Sequence, residues 1–186
     1  YDYLVLSPGI DYDYAAVGVH DTEHRLELMR QYPAAFKPGS EHITLKQKIE
    51  TFEKGLFLLT VPSGNYRCLP APYERACMIA SVFKRKQIPA KVLLLDHNHD
   101  IKIKGQGFHA AFNELYKDYV EYVPSVNIVD VNLDRKSVSD EFDEYNFDDA
   151  AIYPRIRASG LIEHLGLIQD SSPQKEARID MHRNHI

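Results

Sequence analysis

Two apolar runs set the strongest limit on this fold. Leu56-Phe57-Leu58-Leu59-Thr60-Val61 and Lys91-Val92-Leu93-Leu94-Leu95-Asp96 are each too short to be helices and show no polar alternation. Such runs read as strands buried on both faces, which is the environment of a parallel sheet. Parallel strands need a crossover, and the residues between the runs supply one. Tyr73, Ala76, Cys77, Ala80 and Phe83 recur at helical spacing, predicting a helix from about Pro72 to Gln87. Proline suits the first helical turn, Glu74 complements the positive helix end, and Lys84, Arg85 and Lys86 complement the negative one. The unit is βαβ, half of a dinucleotide-type fold. Its phosphate-position loop is not G-x-G-x-x-G but Pro62-Ser63-Gly64-Asn65-Tyr66-Arg67-Cys68-Leu69-Pro70-Ala71, a cysteine braced by prolines.

The flanking sequence extends this pattern. A strand is expected at Tyr3–Leu6, a turn at Ser7-Pro8-Gly9 and a loop over Asp11–Gly18. A helix is expected from His20 to Gln31, with Leu26 and Met29 inward. Ser40 is placed to cap a second helix that turns Leu45, Ile49 and Phe52 inward and closes at Gly55. Beyond Asp96, a helix over 106–116 should bury Phe108, Ala111, Phe112 and Leu115, and Val120–Val123 should be another strand. Val126–Leu133, Ser137–Phe142 and Tyr145–Phe147 read as an antiparallel meander. Ala150–Tyr153 reads as a further buried strand, and Ser159 as the cap of a short helix ended by Gly166. The expected class is α/β, a Rossmann-like three-layer domain with a mostly parallel central sheet plus an antiparallel β-meander.

A chain of 186 residues with 44% hydrophobic and 26% charged residues has an ordinary globular composition. A net charge of −5 with scattered Lys and Arg argues against nucleic acid as a partner, and no apolar run approaches a membrane span. The two cysteines form neither a disulfide framework nor a zinc set. Cys68 lies just ahead of a helix N-terminus with Arg67 beside it and Arg75 a turn away, features that lower a thiol pKa from about 8.5. It is the candidate nucleophile, and a plain loop cysteine is the alternative. Cys77 falls on the inner helix face and reads as core, so a Cys68–Cys77 disulfide is geometrically awkward. Glu74 is either a proton acceptor near the thiol or simply a first-turn charge. Asp96 ends its strand where a ribose-binding carboxylate would stand, but the crowded loop argues against NAD. His97 and His99, with His182 and His185, lack the spacing of a metal site.

Gly64-Asn65-Tyr66-Arg67-Cys68-Leu69-Pro70-Ala71-Pro72-Tyr73-Glu74-Arg75-Ala76 closely resembles the RCPPGPYERA signature of the flavoprotein subunit of flavocytochrome c sulfide dehydrogenase. That family lies within the pyridine nucleotide-disulfide oxidoreductases, near the sulfide:quinone oxidoreductases. Tyr1-Asp2-Tyr3-Leu4-Val5-Leu6-Ser7-Pro8-Gly9-Ile10-Asp11 is similar to its VVAPGI segment, and Lys91–Asp96 to its KVIILD strand. The resemblance runs over residues 1–168 and covers about the middle half of a family member. It implies an FAD enzyme that oxidises a small sulfur substrate and passes electrons to a cytochrome c-type acceptor, in the periplasm. It makes Cys68 one of two redox thiols, with Arg67 and Glu74 beside it, and places Ser7, Pro8 and Gly9 against FAD. The family's second cysteine, in GWCPVD, has no counterpart in Gln174–Asp180.

The expected division is 1–18 as the end of an FAD-domain segment, 19–54 as a helical connection, 55–154 as the second dinucleotide-like domain, and 155–186 as a return segment. The chain, which opens on Tyr1, is expected to be an internal piece that is colourless and inactive alone. A NAD(P)H-binding domain of another flavin oxidoreductase and a non-catalytic cytochrome-docking module are the rival readings.

Overall fold

The computed structural model describes residues 2, 4–64 and 66–168. The GWCPVD-aligned stretch 174–180, His182 and His185 lie outside the described residues. Strand β1 is Ile10–Asp13, followed by a 3₁₀ turn over Tyr14–Val17. The strand expected at Tyr3–Leu6 is therefore misplaced, because the chain's ladder partner reaches only residues 10–13. Leu4, Val5 and Leu6 are exposed, and Tyr3 lies outside the described residues.

Helix α1 (Thr22–Gln31) is capped by Asp21, whose side chain accepts the His24 N–H at 2.8 Å. It buries Leu28, while Leu26, expected inward, is exposed. The inner face runs through Leu28 to Tyr32 one turn on, and Leu26 lies about 200° around the helix from Leu28. Helix α2 (Ser40–Thr51) turns Leu45, Ile49 and Phe52 inward as expected, but Gly39 rather than Ser40 holds the cap position. Gly55 does not close that helix. It opens β2 (Gly55–Val61) at φ +96°, where a Cβ would come within 1.9 Å of an Asp148 carboxylate oxygen.

Helix α3 (Ala71–Lys86) and strand β3 (Ala90–Asp96) complete the βαβ unit, with Gly55↔Ala90 through Val61↔Asp96 in parallel register. Tyr73, Ala76, Ile79, Ala80 and Phe83 are buried beneath α3, and Cys77 is half-buried. Helix α4 (Gly105–Ala110) widens into a π turn over Ala111–Leu115, with the Tyr116 N–H reaching Ala111 five residues back. That wider turn keeps Phe112 inside and swings Leu115 out, contrary to the expected regular helix.

Then come β4 (Val120–Pro124), the meander β5 (Asp130–Asn132), β6 (Ser137–Ser139) and β7 (Glu144–Asn146), and β8 (Asp149–Ala151). The alternation expected over Val126–Leu133 shrinks to three residues. Val131 is fully buried, but Val129 is exposed. Strand β9 (Arg155–Ala158) returns beside β1, and α5 (Gly160–His164) is capped by Ser159 as expected.

The central sheet has the order β4-β3-β2-β8, all parallel. Helix α3 packs across β2, β3 and β4. The mostly parallel sheet with an antiparallel meander is the expected α/β architecture. Taken by order of appearance the strands run third, second, first, fourth. The direction of winding reverses between β2 and β8, and in open α/β sheets the crevice beyond such a reversal is where ligands bind.

Candidate functional site at the carboxyl edge of the sheet

Strand β2 ends at this edge, and the chain leaves it through the loop that carries Cys68. Its backbone is left-handed, φ +59°, and its carbonyl accepts the Ala71 N–H at 2.9 Å, closing the turn that feeds α3. A non-glycine residue in this region costs about 1–3 kcal/mol and persists only where neighbours hold it. Here they do. Tyr66, buried, donates its hydroxyl to the Leu69 carbonyl at 3.2 Å, and Tyr153 donates to the Arg67 carbonyl at 3.4 Å. Asn98 Nδ2 donates to the Pro62 carbonyl, and Lys102 Nζ to that of Gly64. Cys68 is exposed and Cys77 half-buried, and both are free thiols. The Cys77 thiol is pushed up by burial and by the nearby Glu74 charge.

The carboxylate at the end of β3 is engaged from within. Asp96 is fully buried at the end of β3, and all its bonds come from the protein itself. Tyr73 donates to one carboxylate oxygen at 2.7 Å and Tyr122 to the same oxygen at 3.0 Å. Asn98 gives the other oxygen its backbone N–H at 2.8 Å and its side-chain amide at 2.7 Å. Burial and these contacts push the Tyr73 and Tyr122 phenols far up, so they stay protonated donors. A cavity bordered by Thr60, Pro62, Ser63 and Tyr153 has a volume of about 20 Å³. Ligand pockets run to about 300–1,000 Å³, so this one suits a single water and not a nucleotide.

Of the residues expected around the thiol, Arg67 is exposed beside Cys68, and Glu74 is exposed in the first turn of α3. Arg75 is a correction. It donates to the Ala34 and Ala35 carbonyls at 2.6 and 2.9 Å and lies 4.3 Å over the Phe36 ring. Its guanidinium thus anchors the 34–36 segment to α3 instead of serving the sulfur. Ser7, Pro8 and Gly9 are exposed ahead of β1, and Gly9 has φ +77° with open space where a Cβ would project. His99 pairs with the Ser125 hydroxyl at 2.9 Å. Among the described residues no cluster of His, Cys, Asp and Glu could hold a metal ion, and no helix is long and apolar enough to cross a membrane.

Tyr66, Tyr122 and Tyr153 escaped the sequence reading. A signal existed, since a carboxylate closing a fully apolar strand needs buried donors, and the chain has 12 tyrosines to supply them.

Residues 42–154 match the family described as sulfide dehydrogenase (flavocytochrome c) flavoprotein chain, central. Among solved structures, the reduced CoADR-RHD of Bacillus anthracis is similar with TM-score 0.50 at 10% identity, over 75% of this chain and 23% of that one. The Cu(II) complex of the HOCl-induced flavoprotein disulfide reductase RclA of Escherichia coli gives TM-score 0.46 at 14% identity, over 71% of this chain and 32% of that one. The NADH-bound water-forming NADH oxidase of Lactobacillus brevis gives 0.48 at 11%, over 74% and 28%. The chain spans about a quarter to a third of the length of these structures. The family match covers more than half of the chain and includes the cysteine loop and the entire parallel sheet, so this chain belongs to the family of the flavocytochrome c sulfide dehydrogenase flavoprotein, as its central part.

Proposed function

We propose that this chain is the central part of an FAD-dependent sulfide dehydrogenase, with Cys68 as the thiol that takes up the sulfur atom. One observation carries the reading. An exposed cysteine sits in strained, firmly held backbone at the ligand-binding edge of the sheet, while the carboxylate that would recognise a ribose is bonded internally. Residues 55–154 then form the dinucleotide-like domain, 1–18 the end of the FAD-domain segment, 19–54 the connection and 155–186 the return.

The Cys68 thiolate combines with HS⁻ to form Cys68–S–S⁻, releasing one proton and two electrons. Arg67, adjacent and exposed, is placed to meet the anionic sulfur substrate. Glu74, exposed in the first turn of the helix that follows, is the acceptor for the proton. The open backbone of Ser7, Pro8 and Gly9 suits close approach of a flat ring system, and these residues would border FAD. When bound, FAD would supply the acceptor for the electron pair, and a periplasmic cytochrome c-type partner would take the electrons one at a time.

The test is sulfide-dependent cytochrome c reduction by the full-length protein carrying Cys68→Ser. Loss of turnover is expected. Unchanged turnover would favour a docking module.

A further inference from the structure

Away from the sheet edge, a second cleft of about 320 Å³ opens between β1, the 3₁₀ turn and the start of α1. Its polar lining comes from Tyr12, Asp13, Tyr14, His20, Arg25 and Arg157. The volume lies at the lower end of the range for small-molecule sites, about 300–1,000 Å³.

Three observations set its chemistry. Tyr14 is 3% exposed, and its hydroxyl has no hydrogen-bond partner among the described residues. Leaving such a group unmet costs about 1–3 kcal/mol, so it calls for a partner. Arg25, exposed in the first half of α1, makes no ion pair among the described residues. It nonetheless bears on the Tyr14 phenol, favouring its ionised form against burial and the Glu41 charge. Asp13, the carboxylate in the lining, is already neutralised by Arg155. Arg157 reaches the cleft from β9 while pairing with Glu163. Asp11 and Glu163 belong to the adjoining hollow of about 380 Å³, which shares Tyr12, Tyr14, Arg25 and Arg157 with this cleft.

The cleft thus presents the guanidinium of Arg25, a second guanidinium on Arg157 that is shared with Glu163, an imidazole and an unmet phenol, against one acid neutralised by Arg155. We propose that it binds a small oxyanion of the phosphate class, held between Arg25 and Arg157, with the Tyr14 hydroxyl bonded to an anion oxygen. Arginine is suited to this, because its planar fork matches two oxygens at once. The site is independent of the sulfur chemistry assigned to Cys68.

The test is calorimetric titration of the 186-residue chain with inorganic phosphate and with glycerol 3-phosphate at fixed ionic strength, alongside NMR of the arginine Nε–H groups. Saturable binding with a shifted Arg25 signal is expected. Arg25→Gln should weaken it by about tenfold to a hundredfold, since a charge-assisted bond contributes about 1.5–3 kcal/mol, and Arg25→Lys should restore part. Arg25 is exposed and unpaired, so these variants should fold. Tyr14→Phe should also weaken binding, and unchanged affinity there would overturn the role given to the hydroxyl. Tighter binding of glycerol 3-phosphate assigns a phosphomonoester, and equal binding assigns free phosphate. Absence of saturation with both, or equal affinity in Arg25→Gln, would overturn the proposal.

Discussion

The Tyr73 hydroxyl, carried on α3, donates at 2.7 Å to Asp96 at the end of β3, joining the crossover helix to the strand that follows it. Both residues are fully buried. The bond uses an acceptor that a nucleotide-binding relative of this fold would turn toward a ribose, and makes it part of the core.

Tyr73→Phe keeps the ring packing and removes one donor from a buried carboxylate. A loss of about 1–3 kcal/mol is expected, read as a lower urea midpoint at unchanged slope. An unmoved midpoint would mean that Tyr122 and Asn98 alone satisfy Asp96.

NADH titrated into the chain should give no saturable heat. Asp96 is bonded on both oxygens, and the nearby cavity of about 20 Å³ cannot admit a dinucleotide. Measurable affinity would instead support the NAD(P)H-binding reading.

The two thiols should separate cleanly under iodoacetamide at neutral pH. Cys68 is exposed, whereas Cys77 is half-buried and its thiol is pushed up by burial and Glu74. Peptide mass spectrometry should find Cys68 modified first, and comparable rates would contradict the placement of Cys77.

Two glycines should respond with opposite sign. At Gly18, φ is +79° and a Cβ would lie 1.8 Å from the Val129 carbonyl oxygen, so Gly18→Ala should destabilise by more than about 1 kcal/mol. Gly107 lies in α4 with open space around it, and Gly107→Ala should stabilise by about 0.5–1 kcal/mol. Thermal unfolding of both variants reads the difference.

Asp11 should contribute to acid sensitivity. Burial opposes its ionisation, but Lys37 and the Gly160 N–H outweigh burial and lower its pKa below 3.8. A depressed carboxylate stabilises the fold above its unfolded pKa, and that contribution fades as pH falls through the folded value. Asp11→Asn should therefore flatten the acid limb of stability below about pH 4. An unchanged limb would place the acid response elsewhere.

The βαβ core was legible because it is written in residues that act locally. The runs at 56–61 and 91–96 have one burial state, and the 3.6-residue period of α3 has one inner face. The N-terminal strand was misplaced because its position depends on β9, over 140 residues away in sequence, and nothing local reveals that register. Leu26 and Leu115 failed for a related reason: side-chain period does not reveal helix phase or a π turn. At the site, Cys68 could be found from its prolines, but Arg75 could not be assigned. Its bonds to Ala34 and Ala35 exist only once that segment folds over α3.

The pairing of Ile10 with Ala158 has a mechanical consequence. Incoming and outgoing chain cross at one stitch, with Asp13 and Arg155 locked at its far end. A pull on either Ile10–Asp13 or Arg155–Ala158 is therefore borne by this antiparallel ladder and the Asp13–Arg155 pair before it reaches the parallel sheet.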